Sequence, residues 1–264
     1  MTRCLIDDSL STALLTYPLT HGWITVDGLT PVSDLRADAV EQAGVPAVLG
    51  SVDAAPLLDR YAVVTDLSFV SHHSGAIALW TEARPDEIEQ TAIALDGVSR
   101  TAEALARATI SHFYGVQVTT WERDGAEGDA VVREGVPALQ PATSGHLGDL
   151  VRAWFILTGF PLPTHLLVVP QRMVDTEADV LASLVGDLRM VLAAGNERRR
   201  ELRRNLADEF DLDRARLSEL HAEQTTELSK TARKAWLDLL RRTGHAMKHP
   251  AVGEPVVVTV EGEE

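Results

Sequence analysis

Apolar positions along the chain gather into short continuous runs separated by segments in which they recur every three or four residues. That alternation is expected of strands feeding helices. Residues 3–7, 45–52, 61–68, 76–80, 92–95 and 162–169 read as strands, with 117–121 and 129–132 as two more. Between them, Ala102, Leu105, Ala106, Thr109, Ile110 and Phe113 fall at helical spacing and gather on one face, and Gly115 supplies the stop. Leu150, Val151, Trp154 and Phe155 form a similar stripe over residues 149–157. Residues 11–22 read as a loop leading into a short helix with Pro18 near its start, and 33–43 as another short helix.

From residue 175 the pattern is helical to about 243. Val180, Leu181, Leu184, Val185, Leu188 and Leu192 make one apolar face, Gly195-Asn196 breaks it, and residues 231–242 form a last helix with Trp236, Leu239 and Leu240 inward. Residues 256–260 suit an added edge strand or a loose tail. Turn signals stand at Asp96-Gly97 and in the Gly-rich, charged stretch 123–129. The strand and helix order suits two α/β lobes hinged around a cleft. The first lobe would take residues 1–90 and 163–264, with the C-terminal helices, and the second residues 91–162.

Composition narrows the possibilities. The 264 residues are 45% hydrophobic, enough for a sizeable core, and carry a net charge of -15. Such a surface repels nucleic acid and anionic membranes as a whole. Cys4 is the single cysteine, so no internal disulfide forms, and no Cys/His cluster has zinc spacing. Neither glycine-rich nucleotide motif is present, and neither metal nor cofactor is expected. Acids near the N-terminus and the lack of long apolar runs point to a cytoplasmic protein. The arginines from Arg198 to Arg204 interleave with Glu197, Glu201, Asp208 and Glu209, as on a solvated, ion-paired helix.

Three places carry candidate chemistry. At Ser99-Arg100-Thr101, two hydroxyls and a guanidinium crowd the first turn of a helix, where unpaired N–H groups and the helix dipole favour an anion. Alone, such a triplet is more simply an N-cap and a solvated arginine. In Ser71-His72-His73-Ser74-Gly75, either histidine has a proton affinity suited to acid–base work, but adjacent positions in an extended chain face opposite ways. Asp53 either caps the Ala-Ala-Pro turn that follows or serves a site. His165 reads first as a buried, hydrogen-bonded histidine and second as a ligand contact.

The order of three motifs resembles one known family. Residues 92–113 pair a strand with Asp96-x-x-Ser99-Arg100-Thr101 and an amphipathic helix. Thr16-Tyr-Pro18-Leu19-Thr-His-Gly22 lies upstream of it, and Asp149-Leu150-x-x-x-Trp154-x-x-x-Thr158-Gly159-x-Pro161 downstream. Together they resemble the menaquinone-biosynthesis MqnA/MqnD group, whose type member is the chorismate dehydratase of the futalosine pathway. The resemblance implies an α/β, two-lobed fold like that of type II periplasmic binding proteins, with extra C-terminal helices. It implies a hydro-lyase that removes water from chorismate to give 3-enolpyruvylbenzoate.

On this resemblance a small carboxylate metabolite sits in the interlobe cleft, between Ser99, Arg100 and Thr101 on one side and the loops of Thr16 and Ser74 on the other. Asp53 stands where the family tends to place an acid. His72 or His73 would serve as base or donor, an assignment resting on residue type alone. The sequence departs from the family at Leu15, Ile77 and Val136, each apolar where the family has a polar residue. A non-catalytic cytoplasmic binding protein or sensor on the same fold is therefore the alternative. A homodimer is compatible with either, with no nucleic-acid or membrane partner.

Overall fold

The apolar runs form strands, and the helical stripes form helices, in a computed structural model that describes residues 3–95, 97–123, 128–248 and 255–260. The turn expected at Asp96, the centre of the Gly-rich stretch after Arg123 and the acidic end lie outside the described residues. The chain begins with β1 (Cys4–Asp7), α1 (Ala13–Thr20), β2 (Leu29–Val32), α2 (Ala37–Ala43), β3 (Ala47–Gly50) and β4 (Tyr61–Ser71). Next come β5 (Ile77–Thr81), β6 (Gln90–Ala94), α3 (Arg100–Tyr114), β7 (Gln117–Glu122) and β8 (Ala130–Glu134). A short α4 (Val136–Leu139), β9 (His146–Asp149) and α5 (Leu150–Thr158) follow. The remainder is β10 (Leu162–Pro170), α6 (Gln171–Asp175), α7 (Ala178–Glu197), α8 (Arg199–Phe210), α9 (Arg214–Ala222), β11 (Gln224–Glu227), α10 (Lys230–Met247) and β12 (Val257–Val258).

Two sheets organise these elements. The first runs β11-β4-β10-β3-β1-β2, with β12 also paired to β4, and the second runs β7-β6-β8-β5-β9. β1 is parallel to β2 and β3, β6 is parallel to β7 and β8, and β10 is antiparallel to both its neighbours. The chain therefore first passes between sheets at residues 72–76, not near residue 90. β5 belongs to the second sheet because it pairs antiparallel with β8, Leu79 opposite Val132, and with β9, Leu79 opposite Gly148.

β10 is buried along its whole length. Leu166 and Val168 enter one apolar cluster, which reaches into the second sheet, while Leu167 and Val169 enter the other, under α1, α7 and α8. This is the period-two division of a strand covered on both faces, and it explains why its sequence is a continuous apolar run.

Other differences from the sequence pattern have local causes. Gly195 does not break a helix. It lies within α7, where a Cβ would stand 2.2 Å from the Leu14 carbonyl oxygen, so its lack of a side chain lets α7 approach α1. Pro18 lies inside α1 and, having no N–H, leaves that same Leu14 carbonyl without its intrahelical donor. The helical region is interrupted by β11, a polar edge strand held by β4, with Gln224 opposite Ser71 and Thr225 opposite Val70. Leu15 is fully buried among the core residues packed by α1 and α7 and does not line the cleft, so it removes no ligand contact.

The motif that begins at Asp149 is architectural. Asp149 caps α5, accepting from the Val151 and Arg152 amides at 2.8 and 3.1 Å, and also accepts from the Gly75 amide at 3.0 Å. The buried Trp154 indole donates to the Pro161 carbonyl, 3.3 Å away, closing the turn in which Gly159 has φ +70°. This network joins the segment between the sheets to the helix that leads back to the first.

Candidate functional site

Parallel strands in α/β sheets gather ligand-binding groups beyond their carboxyl ends. Here the parallel strands of both sheets point those ends at one cleft. Asp7 is the last residue of β1, Gly50 the last of β3 and Glu134 the last of β8, and α3 starts just after β6. The cleft has a volume of about 890 Å³, and Thr16, Asp53, Ser99, Arg100 and Thr101, all expected at the site, line it. Asp7, Glu134 and His165 line it too.

α3 connects the two sides. The Thr101 hydroxyl accepts from the Val52 amide at 3.1 Å, fixing the first turn of α3 to the turn after β3. The buried Trp236 indole of α10 donates to the Ser51 carbonyl on that same turn, at 2.9 Å. Gly50 leaves room for these groups to converge. A Cβ there would lie 2.7 Å from an Asp53 carboxylate oxygen and 3.0 Å from the Thr101 hydroxyl.

Asp53 is 7% exposed, and among the described residues no hydrogen bond to its carboxylate is found. Burial pushes its pKa up to about 6; the Arg100 charge opposes this, while Glu134 and Asp7 add to it. Across the cleft, His165 Nε2 stands 3.0 Å from Asp7 Oδ2 and 3.4 Å from the Ser9 hydroxyl. Burial works to raise the Asp7 carboxyl, but the hydrogen bond and charge of His165, with the Leu35 amide, hold it below its ordinary value.

Ser99 caps α3 as its sequence implies, accepting from the Ala102 amide at 3.1 Å. Its own donors are both engaged by Glu134. The Ser99 amide donates to Glu134 Oε2 at 2.6 Å and its hydroxyl donates to Oε1 at 2.9 Å. Burial raises the Glu134 carboxyl, and these two bonds oppose the shift. Arg100 directs Nη2 to the Met247 carbonyl at the end of α10, 3.4 Å away. The Ser99 donors expected to receive a ligand anion are thus taken by the chain's own carboxylate.

His72, His73 and Ser74 do not join this group. His72 Nε2 lies 3.3 Å from the Thr225 hydroxyl, and His73 pairs with Glu223 at 2.9 Å while its ring packs against Phe155. Ser74 and His73 line a separate cavity of about 440 Å³. The cause is β11, which the helical pattern concealed. Its pairing with the end of β4 brings Glu223 and Thr225 against the histidines and engages both of them there. Ile77 and Val136 do line the main cleft, so two of the three apolar departures alter its wall.

Sequence reasoning missed Asp7 and Glu134 and took His165 first as a buried, hydrogen-bonded residue, with ligand contact as its second reading. One signal was readable: Asp7 ends the first strand read from the sequence, and Glu134 stands just beyond the strand read at 129–132, where β8 ends. Nothing in the sequence shows that Glu134 reaches Ser99, 35 residues earlier.

A family model described as menaquinone biosynthesis matches residues 13–245. A search of curated proteins finds no match. Among solved structures, the chain is similar to protein AF1704 from Archaeoglobus fulgidus, at 17% identity over 93% of this chain and 97% of that one, with a TM-score of 0.68. It is similar to the alkanesulfonate-binding protein SsuA from Xanthomonas axonopodis pv. citri, solved bound to MOPS, at 14% identity over 98% of both chains and a TM-score of 0.67. The CA3427 gene product of Candida albicans, described as having the generic periplasmic binding protein fold, matches at 12% identity over 100% of this chain and 98% of that one, with a TM-score of 0.61. At these identities the likeness is one of fold, and the fold is the two-lobed periplasmic-binding-protein type. Among the described residues, no helix is long and apolar enough to cross a membrane.

Proposed function

The chain belongs to the menaquinone-biosynthesis family, and from that premise we propose that it is a hydro-lyase of the chorismate dehydratase type, working in the cytoplasm. The observation that carries this reading is Asp53, a buried carboxyl without a hydrogen-bond partner among the described residues and with a pKa raised to about 6, at the meeting of the two lobes. A base of that kind is ionised at neutral pH yet poorly solvated, the condition in which a carboxylate takes a proton readily.

Dehydration of chorismate removes a ring hydrogen and the neighbouring hydroxyl, and aromatisation drives it. In the proposed mechanism Asp53 accepts the ring proton. His165, oriented by Asp7, donates a proton to the departing hydroxyl, which leaves as water. Arg100 at the head of α3 holds a substrate carboxylate. Two sites named from the sequence, His72 and His73, have no part in this scheme.

The alternative, a cytoplasmic binding protein for a small carboxylate, is favoured by one observation: Ile77 and Val136 line the cleft with apolar side chains where the resembled family carries polar ones. A direct assay separates the two. Purified protein is mixed with chorismate, and loss of substrate and appearance of the aromatic product are followed beside a thermal-shift titration. Turnover that Asp53→Asn abolishes supports the lyase. Stabilisation by chorismate without turnover overturns it in favour of the binding protein, and absence of both effects overturns chorismate as the ligand.

A further inference from the structure

The head of α3 is built as an anion site, and Glu134 occupies it. Both Ser99 donors go to its two oxygens, at 2.6 and 2.9 Å. The side chain therefore stands where the carboxylate of a ligand would receive a charge-assisted pair of hydrogen bonds. A second acid faces the same cleft: Asp53 is 93% buried by its 7% exposure and has no hydrogen-bond partner among the described residues. Two carboxylates at one end of a cleft repel an anion brought between them and lack donors of their own when ionised.

We propose that Glu134 is the specificity-determining residue of the cleft: it fills the anion seat on Ser99, so that a ligand meets this end with a hydrogen-bond donor, a hydroxyl or an ammonium group, and not with a carboxylate. The proposal rests on the reading of this cleft as the ligand site. Under the dehydratase reading, the ring hydroxyl donates to Glu134 while it accepts from His165, Asp53 faces the ring hydrogen, and the carboxylate that Arg100 holds rests on the guanidinium without the Ser99 donors. The apolar side chains of Ile77 and Val136 on the cleft wall suit the ring itself.

The test uses two probes of one shape, benzoate and benzyl alcohol, which differ in carrying an anion or a hydroxyl donor. Titrations of full-length protein are followed by the backbone amide resonance of Ser99 and by the fitted affinities. In the wild type, saturating benzoate leaves the Ser99 amide unmoved. In Glu134→Ala the seat is vacated, benzoate moves that resonance, and the preference for benzoate over benzyl alcohol rises about tenfold, the value of one lost charge-assisted interaction.

A folded Glu134→Ala variant with an unchanged preference overturns the proposal. So does a wild-type Ser99 amide that shifts with benzoate, and this second measurement stands even if the variant does not fold. Neither probe is turned over, so the outcome is independent of the chorismate assay, and failure of that assay leaves this result readable.

Discussion

His165 Nε2 lies 3.0 Å from Asp7 Oδ2, and the pair joins the end of the first strand to the middle of a strand more than 150 residues later. Both residues face the cleft, so the contact that orients a candidate acid also fastens β1 to the centre of its sheet through β10. Asp7 is held below the ordinary carboxyl value in the fold. A depressed folded value means that its contribution is present above the unfolded pKa of about 4 and is lost as pH falls through the folded value. Asp7→Asn should therefore destabilise the protein by about 1–3 kcal/mol at pH 7 and by much less at pH 3. Chemical denaturation at both pH values measures this, and an equal loss at each would show that His165 gains nothing from the charge of Asp7.

Much of this architecture was legible because each strand and helix carries its own period. The stripe Ala102–Phe113 and the N-cap Ser99 specify α3 locally, and the continuous apolar run of β10 announces burial on both faces. What stayed hidden depends on distant pairing. The strand β11 is polar, and only its alignment with β4 makes Gln224–Glu227 extended. Because that pairing was unseen, His72 and His73 looked available. Glu134 was hidden for the same reason, since its partner Ser99 lies on a different element and no local pattern encodes their approach.

The displaced histidines give a direct prediction. His72 and His73 are engaged by Thr225 and Glu223 outside the cleft. The double variant His72→Gln/His73→Gln should keep the wild-type kcat/KM for chorismate within about twofold, since surface changes remote from a site alter energies by only about 0.5 kcal/mol. A loss of a hundredfold or so would return the acid–base role to this loop.

Asp53 should trade stability against activity. Its pKa is raised to about 6 by burial, whereas the unfolded chain titrates near 4. Between those values the folded state holds a proton that the unfolded state has released, so the native state loses stability as pH rises through this window and the loss is complete above it. Asp53→Asn escapes the loss and should exceed the wild type by roughly 2–3 kcal/mol at pH 8, with little difference at pH 3. The same substitution should abolish turnover. An asparagine variant no more stable than wild type at pH 8 would remove Asp53 as a poorly solvated base.

His221 should set much of the acid sensitivity. It is 1% exposed in α9, neither ring nitrogen has a hydrogen-bond partner among the described residues, and burial, followed by the charges of Arg199 and Arg203, pushes its pKa down to about 4. Below the unfolded value near 6.5 the unfolded chain takes up a proton that the fold refuses. Stability should therefore fall as pH drops from about 6.5 to about 4, by up to roughly 3 kcal/mol. His221→Leu should flatten the profile over that interval. A profile that stays as steep in the variant assigns the sensitivity to other groups.

Two glycines of one helix should respond in opposite directions. Gly186 and Gly195 both lie within α7, where intrinsic propensity favours alanine by up to about 1 kcal/mol. At Gly186 a Cβ meets nothing within 4 Å, so Gly186→Ala should stabilise the protein by that amount. At Gly195 a Cβ would stand 2.2 Å from the Leu14 carbonyl oxygen and 3.2 Å from the Pro18 ring. The obstacle is backbone, which cannot swing aside as a side chain can, so α7 would have to move off α1. Overpacking of this kind costs about 1–3 kcal/mol, which outweighs the helical gain. Gly195→Ala should therefore lower the denaturation midpoint while Gly186→Ala raises it. Because α1 carries Thr16 into the cleft, the displacement should also weaken ligand binding in the Gly195 variant alone. Equal stabilisation by both substitutions would mean that α1 and α7 do not approach as closely as Gly195 permits.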